Sequence, residues 1–510
     1  MQEGVGVAAS PDRVDWLCAA LLLIVGTCLC MVTFSSSKWG AQPSTEDEFV
    51  YLFQAKTLAA GRLSYPSPPL PEFFESAHIL VAPRFAAKYL PGHAAVLAPF
   101  ELAGVPWLGP CLLLGATAAM LFLAARMAGL VRGAALVAPA LLLGATNVFP
   151  FFASYLSQSS SLAAVTAFFV AAIAVQRRPS GGRIAALCCC VAFAGLVRPF
   201  TGVAAAIAAG ALLLFLRIRR QVPLRALAWA LPPLFAGALL CGGACKATTG
   251  SWTTPPWALY ARQYMPFDGP GIGAVREVDA ERGFPPHLMG LHDGFLQTRR
   301  KHTWSHLPAE TLRRLRLVAG LPPAWAVIPF SIAGAFWPPL WPAGIFALAF
   351  FAASSTFHVG GAIYNLELYP WLALAAAAGA EMAVRGALRL RRPLSIAALA
   401  MLSVAGLWTA ARAGRELHAV LTRASERPWR YARWEPAFEW LREQHAVVFV
   451  RYPRGWDGNV DLTYNEPDLA GADLVRAIDK GERDRELLQY FPDRPAFILD
   501  PVTLRAERIR

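Results

Sequence analysis

The sequence has 510 residues, of which 56% are hydrophobic and only 16% are charged. Soluble domains are about 45–50% apolar and about 25% charged, so a mean hydropathy of +0.41 excludes a disordered chain and argues against a soluble one. The long apolar blocks also exclude a transmembrane β-barrel, whose strands alternate apolar and polar residues. We therefore predict an α-helical polytopic membrane protein.

The apolar blocks predict about eleven membrane spans. The first, at 14–34, follows Arg13 and has no small-residue cleavage site after it, so we interpret it as a span and not a signal peptide. The others are predicted at 107–128, 133–150, 156–176, 183–199, 201–217, 226–246, 317–336, 340–357, 366–384 and 393–412. The net charge of +13 lies largely in short basic loops, which indicates the positive-inside rule and no nucleic-acid partner.

The same rule predicts the topology. The short basic loops all fall on one side, so we expect a multi-pass protein of the plasma (inner) membrane with a cytoplasmic N-terminus. We predict a transmembrane domain over 1–414 with outer loops at 35–105 and 247–316, followed by a small extracytoplasmic α/β domain over 415–510. In that last domain we expect helices at 435–445 and 483–491 and strands at 447–450 and 496–499.

A candidate general base lies at the start of the first outer segment. Thr45 and Glu48 have capping-box spacing, which predicts an amphipathic helix on the outer membrane surface. Acidic residues in a first turn can simply stabilise the helix. Alternatively one carboxylate removes a proton from a substrate. Asp47 is placed best for this, because it shares a helix face with Tyr51; Glu48 is a second candidate.

Candidate phosphate and sugar contacts follow in both outer segments. Lys88 lies beside Tyr89 and before the Pro91-Gly92 turn, where a point charge suits a phosphate; the alternative is a lysine that snorkels at the interface. We interpret His93 as a residue of the helix start and not as a ligand-binding residue. Tyr260 and Arg262 belong to a stretch of interleaved aromatic and polar residues, which suits a sugar or lipid headgroup, or an aromatic belt.

Ionisable residues within the spans are few. Arg198 stands at the end of a span and Glu367 opens another, so both are functional candidates, with snorkelling as the alternative for Arg198. The nine cysteines all lie in apolar segments without zinc-site spacing, which favours apolar packing over disulfides or metal binding.

Together these motifs resemble a family of membrane enzymes. A first span, an outer helix that opens with Asp47-Glu48, a Lys88-Tyr89-Leu-Pro91-Gly92 turn, Arg198-Pro199 and Tyr364-Asn-Leu-Glu367 at a late span look like the GT-C glycosyltransferases. The protein O-mannosyltransferase and aminoarabinose-transferase branch is the most similar. The resemblance covers most of the chain.

The resemblance implies an inverting transfer of a sugar from a polyprenyl-phosphate donor to a lipid, glycan or protein hydroxyl on the outer face. It implies Asp47, with Glu48, as the catalytic carboxylates, and no cofactor or metal. Positive groups at the donor phosphate would be Lys88, Arg198 and Arg84. The substrate-lining residues would be Tyr51, Tyr89, His93, Tyr260, Arg262, Tyr364 and Glu367. In that branch an arginine often precedes the tyrosine at 364, whereas this chain has Ile363.

A non-enzymatic translocator of lipids or lipid-linked sugars is the alternative function. Such transporters usually contain internal repeats and broken helices near the membrane midplane. The sequence shows no internal repeat, and its polar candidates lie at the outer surface, which favours the enzyme.

Overall fold

The structure is a computed structural model that describes residues 11–36, 41–145, 147–275, 278–321, 325–426 and 429–510. The chain forms two compact units, each assembled from three segments. We name the unit of Met1–Gly40, Trp107–Leu239 and Ser305–Arg427 the membrane unit. We name the unit of Ala41–Pro106, Leu240–Trp304 and Pro428–Arg510 the outer unit, after the outer loops predicted from the sequence.

Within the described part of the chain, eight helices are long and apolar enough to cross a membrane. They are Arg13–Ser35, Leu108–Met127, Gln158–Arg177, Pro199–Ile218, Leu224–Thr249, Pro338–Ser355, Ala362–Leu388 and Arg392–Ala419. The last belongs to a longer helix, Arg392–Glu426, which runs through the predicted domain boundary at residue 414.

Three of the eleven predicted spans do not form a long continuous helix in the structure. The predicted spans at 133–150 and 183–199 correspond to shorter apolar helices, Arg132–Leu143 and Gly181–Val197. The predicted span at 317–336 meets one helix that ends at Ala319 and another at Val327–Gly334, and residues 322–324 lie outside the described residues.

Small residues let the membrane helices approach closely. A Cβ added at Gly115 would lie 2.2 Å from the carbonyl oxygen of Leu23 in the first helix. A Cβ added at Gly334 would lie 1.8 Å from the carbonyl oxygen of Ala375. Close backbone packing of this kind contributes to helix association where lipid is the solvent. The nine cysteines have free thiols.

The outer unit contains two sheets. The strand pairs of the smaller sheet are antiparallel, with the strands in the order Tyr65–Pro66, Arg84–Ala87, Ile79–Leu80. The larger has the order Val475–Ile478, Val447–Val450, Ala496–Leu499, Ala506–Arg508, with parallel pairing except at the last strand. The helices of this unit are Glu46–Ala59, Gly92–Leu102, Pro256–Tyr264, Met289–Lys301, Glu435–Glu443 and Asp484–Leu488.

One hydrophobic core joins the C-terminal sheet to the first outer segment. Val50 and Phe53, from the helix Glu46–Ala59, are buried in the same cluster as Phe449 and Val475 of the sheet. The predicted fold class, a polytopic helical protein with a small C-terminal α/β region, is therefore confirmed. The shared core fixes the acidic end of this helix against the C-terminal region.

The membrane unit also contains shorter helices. Arg132–Ala135 and Val137–Leu143 make up the shorter apolar segment, and Leu307–Ala319 and Val327–Gly334 are separate helices. Leu224–Leu227 and the 3-10 helix Ala362–Leu368 are the first parts of the spans Leu224–Thr249 and Ala362–Leu388. The 3-10 helix leads into Tyr369–Leu388 and carries two of the residues singled out in the sequence, Tyr364 and Glu367.

Candidate active site

The capping box predicted at the start of the helix Glu46–Ala59 is present. Glu48 Oε2 accepts hydrogen bonds from the backbone N–H of Ser44 at 2.9 Å and of Thr45 at 3.0 Å. It also accepts one from the Thr45 hydroxyl at 3.2 Å. These bonds satisfy backbone donors that a helix terminus leaves without partners. The Glu48 carboxylate thus serves the helix cap, and its predicted catalytic role gains no geometric support.

We expect Glu48→Gln to leave transfer activity within about threefold of wild type, because glutamine also serves at this position of a capping box. Glu48→Ala should lower the free energy of unfolding by about 0.5–2 kcal/mol through loss of the cap. Initial rates and thermal unfolding of the purified variants check both expectations. A large loss of activity in a stable Glu48→Gln protein would contradict this expectation and support a catalytic role for Glu48.

Asp47 has a different environment from Glu48. The Tyr89 hydroxyl donates a hydrogen bond to Asp47 Oδ1, and His78 Nε2 lies 3.5 Å from the same oxygen. The Asp47 side chain is nevertheless 38% exposed. A carboxylate held on one oxygen and open on the other side can receive a proton from a bound substrate.

His78 is a neutral neighbour of Asp47. Burial lowers the pKa of His78 to about 3, and the nearby Lys88 lowers it further, although Asp47 and Asp461 act in the opposite direction. The imidazole is therefore uncharged at neutral pH and does not cancel the charge of Asp47. Its Nδ1 is buried without a hydrogen bond to the described residues.

Lys88 supplies a positive charge in the same region. Its ammonium lies 5.4 Å from the ring centroid of Tyr89 and 5.1 Å from that of Tyr260. The ammonium makes no hydrogen bond or ion pair with the described residues, whereas the backbone N–H of Lys88 donates to the carbonyl oxygen of His78 at 3.1 Å. Burial lowers the pKa of Lys88, whereas Asp268 and Asp47 act to raise it. A half-buried ammonium between two aromatic faces is available to an anionic group.

Aromatic side chains hold this arrangement in place. Tyr51 stacks on Tyr89 with ring centroids 4.6 Å apart, and His93 packs edge-on against Tyr51 at 4.7 Å. The Tyr260 hydroxyl accepts a hydrogen bond from the backbone N–H of His78 at 3.1 Å. The outer unit therefore brings Asp47, Tyr51, Tyr89 and His93 into one cluster, with Lys88 and Tyr260 beside them.

Two predicted site residues of the outer unit have other partners. The Arg84 guanidinium donates to the Ser64 hydroxyl at 3.1 Å. Arg262 pairs with Glu281 at 2.6 Å, and both side chains are exposed. Arg84 as a phosphate contact and Arg262 as a substrate contact therefore stay predictions from the sequence.

The remaining predicted residues form a second cluster inside the membrane unit. Arg198 Nη1 lies 3.2 Å from Glu367 Oε1, and the Glu367 side chain is fully buried. The Ser161 hydroxyl donates to the same oxygen at 2.8 Å, and the Arg198 guanidinium lies 5.8 Å from the ring centroid of Tyr364. The local sequence explains this placement, because Arg198 is the N-cap residue of the helix Pro199–Ile218.

Two arginines, Arg313 and Arg314, hold the loop that precedes Tyr364. The buried Arg314 donates to the carbonyl oxygens of Ser354 at 2.9 Å and Phe357 at 2.6 Å, and its Nε pairs with Glu310 at 2.9 Å. Arg313 donates to the carbonyl oxygen of Gly360 at 3.0 Å. Through these bonds, the helix Leu307–Ala319 holds the loop that leads into the 3-10 helix with Tyr364 and Glu367.

Sequence reasoning missed several residues around Asp47. Asp461 is buried and accepts hydrogen bonds from the backbone N–H of Ala77 at 3.0 Å and of Thr463 at 2.9 Å, so it fixes the segment that carries His78. Burial favours its neutral form, yet the nearby His287, whose Nε2 lies 3.7 Å from Asp461 Oδ1, and hydrogen bonds from Thr463 leave the pKa of Asp461 below its usual value. Burial also raises the pKa of Glu46 to about 7. Glu46 belongs to the acidic first turn that was considered from the sequence. No local pattern marked Asp461, because its partner Ala77 is 384 positions away.

Metal ligation was not expected from the sequence. Among the residues that the structure describes, no group of three or more histidine, cysteine, aspartate or glutamate side chains has the geometry to hold a metal ion.

Solved structures with the same overall architecture exist. ArnT from Cupriavidus metallidurans bound to undecaprenyl phosphate has a TM-score of 0.55 and 13% sequence identity, and the match covers 96% of this chain and 94% of ArnT. Its apo state has a TM-score of 0.53 over the same shares. ArnT, an aminoarabinose transferase, belongs to the GT-C superfamily. This chain has the GT-C fold.

Other known proteins are less similar or do not match. The apo oligosaccharyltransferase of Archaeoglobus fulgidus has 12% identity and a TM-score of 0.48, over 83% of this chain and 58% of that chain. No protein-family model matches the sequence, and no curated protein matches it. The GT-C fold agrees with the multi-pass membrane architecture of the chain.

Proposed function

We propose that this chain is a membrane-embedded glycosyltransferase that moves a sugar from a polyprenyl-phosphate donor to an acceptor hydroxyl on the outer face of the membrane. One observation carries the proposal. The accessible carboxylate of Asp47 and the unpaired ammonium of Lys88 both contact Tyr89. The Tyr89 hydroxyl donates a hydrogen bond to Asp47, and its ring centroid lies 5.4 Å from the Lys88 ammonium. The carboxylate can remove the proton of an acceptor hydroxyl, and the ammonium can stabilise the phosphate that leaves.

The proposed reaction is a single displacement. Asp47 takes the proton of the acceptor hydroxyl, and the resulting oxygen attacks the anomeric carbon of the donor sugar. The bond between that carbon and the phosphate oxygen breaks, and the polyprenyl phosphate departs with the bonding electrons. One displacement inverts the anomeric configuration. A neutral His78 beside Asp47 leaves the full negative charge on the base.

Lys88 is proposed to stabilise the departing phosphate. A lysine acts on phosphate as a compact point charge, and this ammonium lies within about 5.4 Å of two tyrosine ring centroids. The donor class is supported by the ArnT structure, which contains undecaprenyl phosphate. A phosphate that is already attached to a lipid also needs no nucleotide pocket.

Arg198 is proposed as a further phosphate contact, with Tyr364 and Glu367 as its neighbours. Because Glu367 pairs with Arg198 at 3.2 Å, the pair carries no net charge. Its contribution would come from directed N–H donors and not from excess positive charge.

Lys88→Gln tests the donor side of the proposal. We expect it to raise the Kd for undecaprenyl phosphate about 10–100-fold, the value of one charge-assisted contact. Lys88→Arg keeps the positive charge and should therefore raise this Kd much less. Binding is measured on purified protein in lipid nanodiscs by competition with a labelled donor.

The pH dependence of the same assay gives an independent check. Because burial lowers the pKa of Lys88, its ammonium loses the proton at a lower pH than an ordinary lysine. Phosphate binding by the wild type should therefore weaken as the pH rises, and it should do so at a lower pH than binding through an ordinary lysine. Lys88→Gln should lack this alkaline limb. Equal Kd values for wild type and Lys88→Gln across the pH range would remove Lys88 from the donor site.

A further inference from the structure

The outer unit contains a cavity that the proposed reaction does not use. Its volume is about 530 Å³, which is within the usual range of about 300–1,000 Å³ for small-molecule sites. One wall is the face of the helix Glu46–Ala59 that carries Phe49, Phe53 and Lys56, and the opposite wall belongs to the C-terminal region. Asp47 and Lys88 do not line it.

An unpaired guanidinium lies on the C-terminal wall. Arg476, in the strand Val475–Ile478, stacks over Phe438 with its guanidinium carbon 4.0 Å from the ring centroid. The side chain makes no hydrogen bond or ion pair with the described residues. Burial lowers the pKa of Arg476 to about 10, so the group stays positive at neutral pH.

The other two cations of the wall already have partners. Lys56 pairs with Glu466 at 2.6 Å, and Arg442 pairs with Glu435 at 3.4 Å. Arg476 is therefore the cation of this cavity whose donors are open to a ligand.

The remaining acids of the wall are also engaged. Asp461 accepts from Thr463, Asp468 accepts from the backbone N–H of Gly471 at 3.3 Å, and Asp473 lies 3.3 Å from His445. These contacts reduce the acceptors that would compete for the guanidinium. Arg476 is partly buried and lies near the charges of Glu435 and Glu466. Because neither acid accepts a hydrogen bond from its guanidinium, the N–H donors are available to an anionic ligand.

The rest of the cavity suits a sugar. Aromatic side chains of Phe49, Trp429, Tyr431 and Tyr464 line it. Aromatic faces pack against the apolar faces of pyranose rings, while the planar fork of an arginine binds a carboxylate or phosphate with two parallel hydrogen bonds.

We infer that this cavity binds a saccharide that carries one carboxylate or phosphate group, with Arg476 as the anion contact. The inference goes beyond the proposed transfer reaction, because it concerns binding and needs no activity of Asp47. In a working transferase such a site would hold an acidic glycan near the outer surface of the membrane.

The test is equilibrium binding to the full chain in lipid nanodiscs, without donor lipid. The probes are a glucuronate-containing disaccharide, its neutral glucose counterpart, and glucose 6-phosphate beside glucose. We expect at least one acidic probe to bind about tenfold or more tightly than its neutral counterpart, as one charge-assisted contact would give. A preference for the carboxylate or for the phosphate identifies which anion the site takes.

Variants distinguish this site from general surface charge. Arg476→Gln should abolish the preference for the acidic probe, and Arg476→Lys should restore part of it. Arg505→Gln, which removes an exposed arginine of the same region, is the matched control and should keep the preference. Equal affinity of the wild type for acidic and neutral probes, or no binding of any probe, would overturn the inference even if a variant failed to fold. An equal loss in Arg505→Gln would also overturn it.

Discussion

Asp47→Asn is expected to lower kcat for sugar transfer about 10²–10⁴-fold, the usual contribution of a positioned general base. The amide keeps the size of the side chain and an oxygen that can accept the hydrogen bond from Tyr89. It cannot take a proton from the acceptor hydroxyl. Since the substitution leaves the donor contacts in place, we expect the KM for the donor to change little.

The measurement is the initial rate of transfer by purified protein in nanodiscs with a labelled polyprenyl-phosphate sugar. Glu48→Gln is the matched control, because it neutralises the adjacent carboxylate while the capping box persists. Loss of activity in Asp47→Asn alone supports the base. Equal rates in Asp47→Asn and wild type would return Asp47 to helix stabilisation, the alternative that its position in a first turn left open.

The second large effect concerns the ion pair inside the membrane unit. Arg198→Met should lower the free energy of unfolding by about 3–5 kcal/mol, because it leaves a buried carboxylate uncompensated. Glu367 is fully buried, and its Oε2 has no hydrogen bond to the described residues. Ser161 alone would then donate to the other oxygen, which is insufficient for a charge in this environment.

A double substitution separates the pair from its surroundings. Arg198→Met with Glu367→Met removes both charges, and we expect it to recover most of the lost stability, since apolar replacement of a buried pair is often neutral. Thermal unfolding of the two single variants, the double variant and the wild type gives the coupling free energy. If the double variant is stable but inactive, the pair also serves the reaction. Additive losses would show that the two groups do not stabilise each other.

Local patterns explain which features were predictable. The capping box of Thr45 and Glu48 depends on residues three positions apart, and its prediction was confirmed. The strands at Val447–Val450 and Ala496–Leu499 are continuous apolar runs and were also predicted at these bounds. Val475–Ile478 was missed because Arg476 interrupts its apolar pattern, and Ala506–Arg508 was missed because it is a short edge strand.

The site was predictable only in part for a different reason. Asp47 and Lys88 were marked by residue type and by their nearness to a span. His78 and Asp461 were not, because the contact between Asp461 and Ala77 joins residues 384 positions apart. The same limit applies to Arg476, whose stacking on Phe438 depends on the folded C-terminal sheet. Long-range packing, and not local propensity, brings these groups together.

The most direct test of the central claim follows both products of the wild-type protein. Proteoliposomes receive a polyprenyl-phosphate donor labelled in its sugar, together with extracted envelope acceptors. We expect label to appear in the acceptor fraction, with one polyprenyl phosphate released for each sugar transferred. Donor that crosses the bilayer intact, with no label in the acceptor fraction and no free polyprenyl phosphate, would contradict the glycosyltransferase and indicate a translocator.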